Sequence, residues 1–508
     1  MTSPSPQPVA VGQAAGAGSK RGDARRAAGF GAGPGWLMMA LPPVATFVVM
    51  LWGITRPSYW RDEAATMSAA ERSLPNLLRT LGNIDAVHGA YYILAWVMVR
   101  LGGPGELVTR LPSAVAMAGA ALAVAALGRR LISPRAGLAA GLVFAVLPEV
   151  SFYGQDARPY AIVVALATLA SYLLVGALQA GDARTRTRWL AAYAVCLAAL
   201  GIVDIFGLLV VPAHAVTVAV RYLRAGRDAR SLALGWLAAV VFGAVLTSPV
   251  LALGFVQRGT LSWLTAPGLS DVTGLHALVG PTTMADLVVL AIACGIVVSA
   301  LLGRERLRAS WPGLLTSLCL PWLILPPAIL LIGSLITPLY TLRYVLLCIP
   351  AIALFAGAAL ASLGWVAGTA VLVVLAVLGA PAQRHFREPD GHGDNVRQAN
   401  QIVAAHMRRG DALLEFKAEN FAQAYPFGMR KLDAVAQARS PVASATLVGT
   451  FLPDPVVRQR LTRVSRVWVV EYGHPTPLVV LNGMHFRLVH AWRTSDIWLF
   501  LYAHPTSS

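Results

Sequence analysis

Residues 60–92, WRDEAATMSAAERSLPNLLRTLGNIDAVHGAYY, decide how this chain is read. They lie between two long apolar segments and open on an acidic doublet, Asp62 and Glu63, a few residues beyond the first apolar run. Carboxylates this close to a bilayer surface are costly when dehydrated, so they need a partner or a task. A helix-like mixture of polar and apolar residues follows, and then Asp85, His88, Tyr91 and Tyr92.

Composition fixes the setting of this stretch. Of 508 residues 56% are hydrophobic and 13% charged, about half the charge of an ordinary soluble domain. The chain is expected to be a polytopic α-helical membrane protein. The formal charge of +17 does not imply nucleic acid, because the arginines form short clusters between apolar runs, the pattern that sets orientation in a bilayer. Cys196, Cys294, Cys319 and Cys348 all fall in apolar stretches and read as small buried or lipid-facing side chains rather than a disulfide framework or metal site. Residues 1–35, rich in Pro, Gly and Ala with Lys20, Arg21, Arg25 and Arg26, read as a disordered cytoplasmic tail without a cleavable leader.

Eleven apolar segments approach the ~20 residues a bilayer requires: roughly 36–54, 110–128, 136–152, 160–178, 188–204, 206–222, 231–253, 285–302, 312–335, 342–360 and 365–381. The stretch 91–103 is also apolar. Leaving it out of the count puts Arg129, Arg130 and Arg135, the clusters at 184–188 and 221–230, and Arg304, Arg306 and Arg308 on the same side as the N-terminus. Counting it would invert them all, so 91–103 reads as a short helix at the outer face. Segments 55–109, 153–159, 254–284 and 336–341 then face outward, together with everything after Pro381. From 382 to 508 the composition becomes that of a soluble α/β domain. Helix patterns NVRQANQIVAAHMRRG and DPVVRQRLTR alternate there with strand candidates DALLEF, TLVGTF, VWVVEY and IWLFLY. No glycine-rich phosphate loop assigns it a nucleotide.

Several elements recur in a familiar order: the outer acidic doublet; His88-Gly89-Ala90-Tyr91-Tyr92, close to "HPPLYY"; Gly103 to Ala114, GPGELVTRLPSA; Arg135-Ala136-Gly137; Tyr153 to Tyr160, YGQDARPY; and Leu342 to Leu346, LRYVL. Taken together they resemble the GT-C fold glycosyltransferases that use polyprenyl-phosphate sugars, the branch of protein O-mannosyltransferases and aminoarabinose transferases (glycosyltransferase family 39-type). The likeness is best over residues 36–240. It implies an inverting transferase moving a mannose-like sugar from a polyprenyl phosphate to a lipid, polysaccharide or protein acceptor outside the cytoplasmic membrane. The family's catalytic aspartate falls on Asp62, with Glu63 beside it. A carboxylate within hydrogen-bond reach can take the proton of an acceptor hydroxyl, and a departing phosphate needs cationic donors, for which Arg343, Arg158 and His88 are the outer-face candidates. Tyr91, Tyr92, Asp156, Tyr160 and Trp263 are candidate substrate contacts. Gly89 and Ala90 replace the family's two prolines.

Plainer readings stand beside these. Asp62 and Arg61 form a surface pair, Glu63 is a structural partner, Arg158, Tyr160 and Trp263 are interface anchors, Arg343 snorkels, and His88 is an ordinary surface histidine. Asp62, Glu63 and Asp156 are the acids from which a divalent cation, if one binds, would draw its ligands; no cofactor is assigned. Residues 270–279 carry a helical period and read as a lid. A lipid or sugar transporter is the main alternative function, and an inactive scaffold a third. A transporter favours polar residues near mid-membrane, but these are few here, with His214 the chief exception, and the polar residues gather at one face, as suits a surface-facing enzyme.

Overall fold

The computed structural model describes residues 35–301, 311–415, 420–473 and 479–505. The expected N-terminal tail and the cluster Arg304, Arg306 and Arg308 lie outside the described residues. Among the described residues nine helices are long and apolar enough to cross a membrane. A tenth crossing is a bent pair, Pro134–Val146 and Pro148–Gly154, meeting at 65° where Pro148 interrupts the helix. The shorter apolar helix Trp36–Leu51 completes the eleven expected segments. Gly89–Gly102 is a helix of 14 residues, too short to span.

We label the helices that matter here α1 (Gly35–Leu51), α2 (Arg61–Ala70), α3 (Gly89–Gly102), α4 (Glu106–Leu131), α5 (Pro134–Val146), α6 (Tyr160–Leu178), α7 (Ala183–Val203), α8 (Ile349–Leu363), α9 (Trp365–His385) and α10 (Val396–His406). Lipid tails are as apolar as leucine, so helices in a bilayer associate through close packing of small residues. Here a Cβ on Gly137 would lie 2.3 Å from the Ala125 carbonyl across the α4–α5 contact, and one on Gly357 2.4 Å from the Ala140 amide across α5–α8. These glycines set how closely the helix axes approach.

Among the described residues the basic clusters gather at one end of the bundle. Arg130 bonds Gln179 at 2.7 Å and lies over the Trp189 ring, and Arg186 bonds Ser231 at 2.7 Å. Residues 52–109 and the C-terminal region sit together at the other end, about 30 Å away along a helix such as α7.

The C-terminal region is a small sheet domain. β1 (Ala412–Glu415), β2 (Asp433–Ala434), β5 (Arg466–Tyr472), β6 (Arg487–Thr494) and β7 (Ile497–Ala503) form one sheet in the order β2-β1-β5-β7-β6. β1 runs parallel to β2 and β5, and β7 antiparallel to β5 and β6. DALLEF, VWVVEY and IWLFLY are strands, but TLVGTF contributes only Thr450–Phe451 (β4), paired with β3 (Gln437–Arg439) in a separate two-stranded ribbon. The edge strand β6, RLVHAWRT, escapes a sequence reading because most of it is exposed and charged residues interrupt its apolar alternation. One sheet face shares its core with the loop region: Tyr59, Met67 and Tyr91 pack in one cluster with Val396, Leu413, Trp468 and Leu499. Arg397 clamps the same junction, bonding Glu106 at 2.7 Å and the carbonyls of Thr55, Arg56 and Pro57.

Candidate active site

Helix phase separates the acidic doublet. Asp62 and Glu63 occupy the first turn of α2, where the helix dipole favours anions. Consecutive helical residues point about 100° apart, so the two carboxylates face different surroundings. Glu63 is wholly buried. Its Oε1 accepts from Arg110 Nε at 2.7 Å and from the Ala157 amide at 2.8 Å, and its Oε2 accepts from the same guanidinium at 2.6 Å. Arg110 spends its remaining donors on the carbonyls of Ile54, Pro57 and Ser58. A buried ion pair persists when it is bidentate and its other donors are satisfied, as here.

Asp62 instead faces a cavity of about 350 Å³. Its Oδ2 accepts from Arg343 at 2.6 Å, with both side chains partly exposed. Arg343 rests against the rings of Trp263, 4.7 Å away, and Trp60, 5.9 Å away. Further round the cavity, Asp85 adopts a left-handed conformation (φ 61°) that aspartate tolerates. Its carboxylate meets His88 Nδ1 at 2.6 Å and accepts from the Tyr92 hydroxyl. Arg158 donates to the Tyr92 oxygen at 3.1 Å. Burial pushes the Asp85 carboxyl up, but His88, Arg158 and the Tyr92 hydrogen bond together outweigh it and hold Asp85 well below the usual carboxylate range. Asp204, between two spans, also lines the cavity and accepts from the Phe206 amide at 2.8 Å. Burial drives its carboxyl up, against the pull of His88.

Of the residues singled out in the sequence, Asp62, His88, Tyr92, Arg158, Tyr160, Trp263 and Arg343 all line this one cavity. Glu63, Tyr91 and Asp156 stand outside its lining. Tyr91 donates to the Thr109 carbonyl at 3.0 Å and pairs with Ser113. Asp156 lies behind the wall, accepting from Trp60 Nε1 at 3.1 Å. The acids suggested for a cation thus divide between two environments. The sequence reading assigns Asp85 and Asp204 no role, although an acid flanked by apolar residues, as in GIVDIF, is a readable signal. Leu447 of the sheet domain also reaches the cavity, on a loop whose Leu447 carbonyl accepts from Ser68 at 3.0 Å. Residues 269–278 form short helical turns, Leu269–Thr273 and Gly274–Leu278. The mid-membrane His214 is enclosed by Ser171 and Tyr193, each at 2.9 Å, and lines no cavity wall with the groups above.

Two features suit the cavity to an anion. Arg343 Nε and Arg158 Nε are buried N–H donors with no hydrogen-bond partner among the described residues, and an unmade bond at a buried charged donor is expensive.

Residues 86–253 match the family described as dolichyl-phosphate-mannose-protein mannosyltransferase. The fold is that of ArnT from Cupriavidus metallidurans. The apo structure of that protein aligns at 16% identity and a TM-score of 0.61, over 92% of this chain and 97% of the other. Its structure bound to undecaprenyl phosphate aligns at 16% identity and 0.59, over 94% and 99%. The Archaeoglobus fulgidus oligosaccharyltransferase is more distant, at 12% identity and 0.47 over 85% and 67%. No curated protein sequence gives a significant match. This chain therefore has the GT-C fold, and about a third of it matches a glycosyltransferase family in sequence.

Proposed function

We propose that this GT-C chain transfers a sugar from a polyprenyl-phosphate donor to an acceptor hydroxyl, with inversion, and that Asp62 is the general base. The acceptor oxygen attacks the anomeric carbon on the face opposite the phosphate. As that C–O bond forms, the bond from carbon to phosphate oxygen breaks, the acceptor proton passes to Asp62, and polyprenyl phosphate leaves. Arg343, Arg158 and His88 hold the charge that develops on the leaving group. Tyr92, Tyr160 and Trp263 border the sugar, and Tyr91 and Asp156 support that wall from behind. Glu63 supports the base through α2 instead of touching substrate.

The Asp62–Arg343 contact carries this reading. It joins a carboxylate and a guanidinium at the mouth of a span, beside a cavity, and leaves Arg343 Nε free for a second anion. A phosphate drawn to that guanidinium loosens its hold on Asp62, so donor entry readies the base. The family matched by residues 86–253 makes a mannose-like sugar the first donor to try, and the lipid phosphate on the ArnT structure supports the donor class. The basic clusters at the opposite end of the bundle favour an outward-facing cavity in the cytoplasmic membrane, with residues 382–508 as an extracytoplasmic domain. The acceptor class is open to lipid, polysaccharide or protein.

The test is transfer by purified chain in detergent across a panel of polyprenyl-phosphate sugars. Asp62→Asn keeps size and most hydrogen bonding but takes no proton, so turnover is expected to fall on the order of 10²-fold or more with donor binding retained. Near-normal turnover in that variant overturns the assignment of the base. Absence of transfer with every donor returns the transporter reading.

A further inference from the structure

We propose that Glu63, Asp156 and His392 form a buried site for a divalent metal ion of the zinc class, behind the wall of the cavity. The three come from distant parts of the sequence: α2, the loop before α6, and the segment between α9 and α10. All are buried, and one potential ligand atom from each lies within 4.8 Å of the others. Two features distinguish this trio from a chance meeting of polar groups. Neither ring nitrogen of His392 has a hydrogen-bond partner among the described residues, and neither has Asp156 Oδ2. Polar atoms left without partners in a dry interior cost as much as the bonds they forgo. An ion gives Oδ2 and one imidazole nitrogen the partner that they lack.

The surroundings orient the donors. Trp60 holds Asp156 by Oδ1, so Oδ2 is the oxygen left to bind. Phe152 stacks on the His392 ring at 4.5 Å. Gly391 and Gly393 flank the histidine; Gly393 is in a left-handed conformation (φ 100°), and a Cβ on Gly391 would lie 2.3 Å from the His385 carbonyl. The backbone here is shaped to bring His392 inward.

One imidazole and two carboxylates suit zinc-class ions better than calcium or magnesium, which prefer all-oxygen shells. Two bonds of about 2.1 Å span at most about 4.2 Å, so the trio has at most roughly half an ångström to close on loading. Glu63 already neutralises Arg110, and Glu63 Oε2 accepts a single bond, leaving a lone pair for the ion. Arg387 is held nearby by the carbonyls of Val49, Trp52 and Gln383. The local positive charge makes this a site of moderate affinity that has to be loaded.

The full chain in detergent is stripped with a chelator, dialysed against Zn²⁺ or Co²⁺, and its bound metal counted by mass spectrometry. One ion per chain is expected, with a cobalt absorption band showing nitrogen and oxygen ligands. Losing a ligand is expected to weaken binding at least as much as the roughly 10–100-fold cost of losing a ligand's supporting hydrogen bond. His392→Gln and Asp156→Asn therefore lose the ion, while the exposed control His385→Gln keeps it. Zinc is also expected to raise the melting temperature of the wild type and leave that of His392→Gln unchanged. Wild-type chain that takes up no stoichiometric metal overturns the proposal, as does undiminished binding in both ligand variants. If His392→Gln fails to fold, the wild-type count and Asp156→Asn decide. None of these readouts depends on sugar transfer.

Discussion

Asp62 and Glu63 are adjacent in sequence, yet one borders the cavity and the other is sealed in an ion pair. Their substitutions should therefore separate. Removing one partner of a buried pair leaves the other charge uncompensated, a cost of about 3–5 kcal/mol, so Glu63→Gln is expected to lower the melting temperature markedly. Asp62→Asn should leave the melting temperature nearly unchanged while removing turnover; equal melting losses in the two variants would contradict this division. Arg343→Lys keeps the charge but not the planar fork, and weaker binding of the donor is expected from direct affinity measurement. Unchanged donor affinity in both Arg343→Lys and Arg343→Ala removes it from the site. The doublet, Arg343 and Arg158 were visible in the sequence because charge at the edge of an apolar span is conspicuous. The partner of Glu63 was not, since Arg110 stands 47 residues away inside a motif that gives no hint of pairing. His392 was equally silent: a lone histidine between glycines carries no periodic signal.

Among the elements, the spans were legible from length and hydropathy, and the short helix at 89–102 from the arrangement of arginines. Where a strand's own pattern is weak, as in β6, only its pairing with β7 defines it, and pairing is not written locally. The close helix contacts are likewise invisible in a sequence in which alanine and glycine are everywhere. They make a direct test. Gly357 meets the Ala140 backbone with no space for a Cβ, and overpacking of this kind typically costs about 1–3 kcal/mol. Gly357→Ala is expected to reduce thermal stability in detergent, whereas Gly119→Ala, which has open space around it, should not. Comparable losses in both would show that the crossing of α5 and α8 is looser than described.

At the scale of the whole molecule, the cavity, residues 52–109 and the sheet domain occupy one end, and the basic clusters the other. Ser73, Ser231 and Ser440 are all exposed, the first and last at the cavity end and Ser231 beside Arg186. With each changed singly to cysteine in intact cells, an impermeant thiol reagent is expected to mark positions 73 and 440 and spare 231. Labelling at 231 would invert the assigned sidedness.

The loop carrying Leu447 gives this arrangement a practical side. It belongs to the sheet domain, bonds α2 through Ser68, and at the same time walls the cavity. Exchanging sheet domains between related chains would thus transplant a piece of the pocket and carry selectivity along with it. A binder raised against residues 440–449 would grip the cavity wall from the water side, offering a handle on the reaction that never has to enter the lipid.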